Sequence, residues 1–246
     1  MSQTPLRIAM WSGPRNLSTA LMRAFSSRDD TSVTDEPFYA HYLKETGIGH
    51  PGRDEIIAAY PTDWREIMDL ITGPVPRGKA IWYQKHMAHH MLPHVDSQRL
   101  IDGGALVHAF LIRKPAEVIA SYTKVYPNMT LAETGLPYQV DLFERAKKAT
   151  GKTPPVVDAT DILMDPKRTL SRLCEALGID FTEKMLSWPK GPHPDDGNWA
   201  PYWYESVYNS TGFGKYEPKK ESVPASLTAM HEKAKDLYEK LAAHRL

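Results

Sequence analysis

Apolar residues alternate between two rhythms along this chain. Short β-branched or continuously apolar runs occur at Leu6–Trp11, Thr31–Thr34, Ala80–Tyr83, Leu106–Ile112 and Pro155–Val157, and each predicts a strand. Stripes at three- and four-residue spacing lie between and beyond them. Leu17, Ala20, Leu21, Ala24 and Phe25 form the first, and Val118, Ile119, Tyr122 and Val125 follow Pro115. A further helix is predicted from about Pro166 to Leu177, stopped by Gly178, and a last one carries Leu227, Met230, Ala234, Leu237 and Leu241. Strands alternating with helices predict an α/β fold: a three-layer sandwich around a central parallel sheet. Leu106–Ile112 is almost wholly apolar, as a strand covered on both faces should be. No repeat or low-complexity linker interrupts the pattern, so residues 1–246 read as a single domain.

That topology gives scattered polar residues a shared address. Ligands of open parallel sheets bind beyond the carboxyl ends of the strands. Arg15 to Thr19, Asp35-Glu36, Lys85-His86 and Arg113 all follow predicted strands and should converge on one edge. The first group sits in a strand–turn–helix, which aims backbone N–H groups and the positive helix end at the turn. With Arg15, Ser18 and Thr19 there, a phosphate is the natural guest. The loop is not a Walker A motif, because the Gly-Lys-Ser/Thr ending is missing. A phosphate cradle, a carboxylate, a Lys-His pair and a second arginine in one cleft describe a group-transfer site for an anionic donor.

Composition narrows the partners. Thirty basic and 30 acidic residues cancel, so no global field favours nucleic acid or an anionic membrane. Cys174 is the only cysteine, which excludes an intrachain disulfide and suits a reducing compartment. No run reaches the roughly 18 apolar residues of a membrane span. The first strand begins almost at the N-terminus, leaving no room for a signal peptide. The expectation is a cytoplasmic protein.

The loop Pro14-Arg15-Asn16-Leu17-Ser18-Thr19 resembles the 5′-phosphosulfate loop of the sulfotransferase family, P-K/R-S-G-T/S-T. Arg113-Lys114-Pro115, with Ser121 eight residues after the arginine, is similar to the family's 3′-phosphate motif. The stretch from Thr160 to Pro166 and the later Leu177-Gly178 resemble further family segments. Over most of the chain, the resemblance implies a P-loop-like fold that moves a sulfuryl group from 3′-phosphoadenosine 5′-phosphosulfate (PAPS) to a hydroxyl or amine of a small-molecule acceptor. It implies that Arg15, Asn16, Leu17, Ser18 and Thr19 hold the 5′-phosphosulfate and that Arg113 and Ser121 hold the 3′-phosphate. The family's C-terminal 3′-phosphate loop is echoed by Ser210, Thr211, Gly212 and Lys215, which become candidates to cover the nucleotide. Lys85 is assigned to charge on the bridging oxygen, and Glu36 or His86 to removal of the acceptor's proton. Glu36 is favoured, since a carboxylate beside Lys85 and Arg15 should be ionised at neutral pH.

Leu17 and Asn16 stand where the family has glycine and serine, which keeps a non-catalytic nucleotide-binding protein as an alternative. A nucleotide or small-molecule kinase is the other, although it would need the missing loop lysine. His86, His89, His90 and His94 crowd one segment, but no HExxH pattern or nearby carboxylate or cysteine at ligand spacing joins them, so no metal is expected. Residues 188–216 are rich in Trp, Tyr, Pro and Gly. They predict either an irregular wrap over the sheet or an aromatic lid on the acceptor pocket.

Overall fold

A computed structural model describes residues 4–102, 104–124, 126–127, 129–218 and 223–246. Val125, assigned above to a helical stripe, lies outside the described residues. The chain runs β1 (Leu6–Ser12), α1 (Ser18–Ser26), β2 (Thr31–Asp35), α2 (Tyr39–Thr46), α3 (Arg53–Ala59) and α4 (Trp64–Thr72). Then come β3 (Ile81–Met87), α5 (Gln98–Asp102), β4 (Val107–Ile112), α6 (Pro115–Tyr122), α7 (Leu136–Thr150) and β5 (Val156–Asp158). The chain ends through α8 (Ala159–Met164), α9 (Pro166–Leu177), α10 (Ala200–Trp203), α11 (Glu205–Tyr208) and α12 (Thr228–Ala242).

All five strands are parallel, in the order β2-β3-β1-β4-β5. The predicted α/β sandwich is therefore the observed fold. Strand parity splits the core into two layers. Ile8 and Met10 of β1 face Leu21 and Phe25 of α1 and Leu170 and Leu173 of α9. Ala9 and Trp11 face the opposite way, onto Ile67 of α4, Phe143 of α7 and Tyr238 of α12.

Two boundaries differ from the pattern. The strand expected at Ala80–Tyr83 continues to Met87, because β1 supplies a pairing partner for every residue from Ile81 to Met87. Polar Gln84, Lys85 and His86 hid that continuation, since a ladder tolerates polar residues whose side chains find partners. The first helix starts at Ser18, and Leu17 is its cap residue in the left-handed region, φ 70°. Gly13, at the end of β1, is forced by proximity: a Cβ there would stand 2.1 Å from the carbonyl oxygen of Thr134.

Candidate active site

The carboxyl ends of β1, β2, β3 and β4 open into a cleft of about 210 Å³. Arg15, Asn16, Leu17, Ser18 and Thr19 line one side, Arg113 and Ser121 one end, and Glu36 and Lys85 the floor. Four segments distant in sequence thus meet at one place, as the topology predicts.

The two arginines are locked together. Arg15 Nε donates to Ser121 Oγ at 3.1 Å, and Arg113 Nη1 donates to the main-chain carbonyl of Arg15 at 2.9 Å. Arg113 is oriented by an ion pair to Glu117 at 2.7 Å, one helical turn on, and Tyr216 braces that carboxylate at 3.0 Å. Burial and the charge of Arg113 lower the Arg15 pKa from its ordinary value. The two arginines are thus near enough for each cation to feel the other. Asn16 faces inward: its Nδ2 donates to the Leu111 carbonyl at 3.3 Å, which ties the loop to β4.

Backbone strain gathers here. Among the described residues, the non-glycine positions with positive φ are Arg15 (62°), Leu17 (70°), Glu36 (37°) and Arg77 (57°), and the first three line the cleft. Leucine therefore keeps the left-handed turn that glycine would adopt freely, at a cost of about 1–2 kcal/mol. In return its side chain packs at the edge of the core.

On the floor, Lys85 is buried and donates all three of its ammonium protons: to Asp35 Oδ1 at 2.9 Å, Glu36 Oε1 at 2.6 Å and Tyr204 Oη at 2.6 Å. Tyr204 in turn donates to Asp35 Oδ2 at 2.7 Å and accepts from Trp199 Nε1 at 3.0 Å. Gly197 N–H adds a third donor to Asp35 at 3.2 Å. A Cβ on Gly197 would sit 2.2 Å from the Trp199 ring, so the segment needs glycine to reach Asp35. Asp35 is thereby saturated, whereas Glu36 Oε2 has no hydrogen-bond partner among the described residues. Burial raises the Glu36 pKa and Asp35 adds to it, with Lys85 opposing both. Loss of solvent is the largest influence on this carboxyl, and the charge of Lys85, the neighbour expected to favour its ionised form, works against it. Burial alone would lower the Lys85 pKa, but the two carboxylates more than offset it and hold the lysine charged.

His86 is not in the cleft. Because β3 runs through Met87, adjacent residues face opposite sides, and the His86 ring lies under the sheet, 4.5 Å from Trp11 and 3.0 Å from Gln84 Oε1. Burial, then His108, drives its pKa down to about 3. His89, His90 and His50 line the cleft instead, with Tyr39 and Trp203. These residues escaped a reading based on strand ends because they reach the cleft from past β3 and from flanking helices. Ser210, Thr211 and Gly212 are also elsewhere. Ser210 Oγ accepts from Trp188 Nε1 at 3.2 Å, Thr211 bonds the backbone of Trp188, and Gly212 bridges Ser187. Lys215 is exposed and outside the cleft lining. The intervening turns spend these residues on fastening the chain to Trp188. Of the aromatic segment, Trp203, Tyr204, Ser206 and Val207 wall the cleft, while Phe213 packs edge-on against Trp188 at 5.0 Å.

Among the described residues, no group of three or more His, Cys, Asp or Glu is arranged to hold a metal ion. No helix among them is long and apolar enough to cross a membrane.

A parallel α/β sheet thus carries an arginine-bearing loop after β1 and a second arginine after β4, both lining one cleft. The chain belongs to the sulfotransferase-domain family, whose model matches residues 6–243. The sulfotransferase from Alicyclobacillus acidocaldarius shares the fold at 15% identity and TM-score 0.59, covering 100% of this chain and 98% of that one. The sulfotransferase domain from the Synechococcus PCC 7002 olefin synthase does so at 16% identity and TM-score 0.53, covering 97% and 96%. Two curated relatives from Arabidopsis thaliana are named branched-chain-amino-acid aminotransferase-like proteins 1 and 2. They are 39% identical over 241 residues and 37% identical over 239. The matches cover 98% and 96% of this chain, and the chain spans only 42% and 41% of the relatives' lengths.

Proposed function

We propose that the protein is a sulfotransferase using PAPS as donor and the hydroxyl of a small molecule as acceptor. The observation that carries this reading is the linked pair Arg15–Ser121 and Arg113–Arg15, which sets two arginines in one cleft with a half-free carboxylate on its floor. Ser18, Thr19 and the N-terminus of α1 would complete the site for the 5′-phosphosulfate, and Arg113 with Ser121 the site for the 3′-phosphate.

The chemistry then follows from the side chains. The acceptor oxygen attacks sulfur as the bond from sulfur to the 5′-phosphate oxygen breaks, and that oxygen leaves with the electron pair. Glu36 Oε2 takes the hydroxyl proton as general base. Arg15 and the loop N–H groups stabilise the negative charge growing on the leaving phosphate. Lys85 has no proton to spare for that oxygen in this arrangement, so its work is to hold Glu36 and Asp35 in place. That replaces the role expected for it from the sequence.

Thermal shift tests the donor. Adenosine 3′,5′-bisphosphate (PAP) should raise the melting temperature more than ATP with Mg²⁺, which lacks a 3′-phosphate for Arg113. An equal or larger shift with ATP would overturn this reading in favour of a kinase.

A further inference from the structure

The charges of the cleft are of two kinds. Arg15 and Arg113 line its wall as cations. On the floor, ionised Glu36 with Asp35 and Lys85 sums to one negative charge. Asp35 is saturated by Lys85, Tyr204 and Gly197, so the surplus reaches the cleft at Glu36 Oε2.

Around that carboxylate the walls are rings. Tyr39 stacks on His90 at 5.1 Å and 8° and meets Trp199 edge-on at 5.1 Å. His50 lies 5.6 Å from Trp203, and its Nδ1 is 2.8 Å from the Tyr39 hydroxyl. The imidazoles carry no charge into this space. Burial lowers the pKa of His50 and His90, and takes His89 to about 3. His50 Nε2, His89 Nδ1 and His90 Nδ1 are buried without a hydrogen-bond partner.

Lys85 is already paired to both carboxylates, and the sulfotransferase reading commits the arginines to the donor, so an anionic acceptor would meet a carboxylate with no cation left to balance it. A neutral one would gain contact with the rings and nothing from the charge. A cation gains both, because ring faces and a carboxylate attract it together. We propose that the acceptor is an alcohol bearing a positively charged nitrogen, its cationic group against Tyr39 and Trp203 and its hydroxyl at Glu36. The inference rests on the sulfotransferase reading for the fate of the hydroxyl, while the cation preference stands on charge and ring placement.

The test uses the whole chain and two probes of equal shape: choline, and its uncharged carbon isostere 3,3-dimethyl-1-butanol. Calorimetry with and without PAP should show choline binding at least about tenfold more tightly than the isostere. Glu36→Gln should erase most of that preference, and Trp203→Leu should reduce it. Glu205→Gln, an exposed carboxylate just beyond the cleft wall, should leave it unchanged. Choline binding no better than the isostere, or no binding of choline at millimolar concentration, overturns the inference. Should Glu36→Gln fail to fold, Trp203→Leu decides, with an undiminished preference as the contrary result. PAP binding without a choline preference removes this inference alone. A choline preference without PAP binding removes the donor reading and leaves the cation site.

Discussion

Arg113 donates to the backbone carbonyl of Arg15 across 98 residues of sequence, at 2.9 Å. The contact sets the loop after β1 against the end of β4 and keeps both arginines in one cleft. Arg15→Ala and Arg113→Ala should each weaken PAP binding by about 1.5–3 kcal/mol, roughly ten- to a hundredfold, the worth of a charge-assisted hydrogen bond. Isothermal calorimetry measures it. Wild-type affinity in the Arg113 variant would show that the second arginine reads no phosphate.

Glu36 acts as a base only when ionised, and burial raises its pKa above the ordinary carboxylate value. Rate should therefore fall as pH drops through that raised pKa, on the acid side of the profile. Glu36→Gln should lose on the order of 10²–10⁴-fold in single-turnover rate, lose the acid limb, and keep its affinity for PAP. His86→Ala, whose ring is under the sheet, should keep both the limb and most of the rate of the folded protein. A dead His86 variant beside an active Glu36 variant would reverse the assignment.

Lys85 separates a structural from a leaving-group role. Its ammonium is the counter-charge of two carboxylates, with side-chain exposures of 1% for Lys85, 1% for Asp35 and 11% for Glu36. Lys85→Met should destabilise the fold by about 3–5 kcal/mol by stranding buried charge. Denaturant unfolding reads this directly. A variant of unchanged stability that lost only rate would return Lys85 to the bridging oxygen.

Leu17 should tolerate glycine and reject a β-branched residue. Leu17→Gly removes about 1–2 kcal/mol of left-handed strain. It also gives up apolar packing and adds about 0.5–1 kcal/mol of chain entropy to be lost on folding, so melting should change little. Leu17→Val, with two branches at Cβ, should destabilise the protein and weaken PAP binding together. Equal stability of the glycine and valine variants would mean that the turn does not hold this conformation.

Periodicity alone determined much of this protein. Five apolar runs and the helical stripes between them specify a parallel sheet with two covered faces, because side-chain period decides which face each residue presents. The turn at Arg15 to Thr19 and the eight-residue interval from Arg113 to Ser121 were legible for the same reason: both are local, and each is fixed by one strand end and one helix start. Lys85 and His86 were not. Whether they share a cleft depends on where β3 stops, and that is set by pairing of Lys85 with Met10 and of His86 with Trp11 on a neighbouring strand. Once pairing carries the strand to Met87, parity sends one side chain to the floor of the cleft and its neighbour into the opposite core. Tyr204 and Gly197 were likewise beyond reach. Their partner Asp35 is more than 160 residues away, and no local spacing records a hydrogen bond that only the folded sheet brings into range.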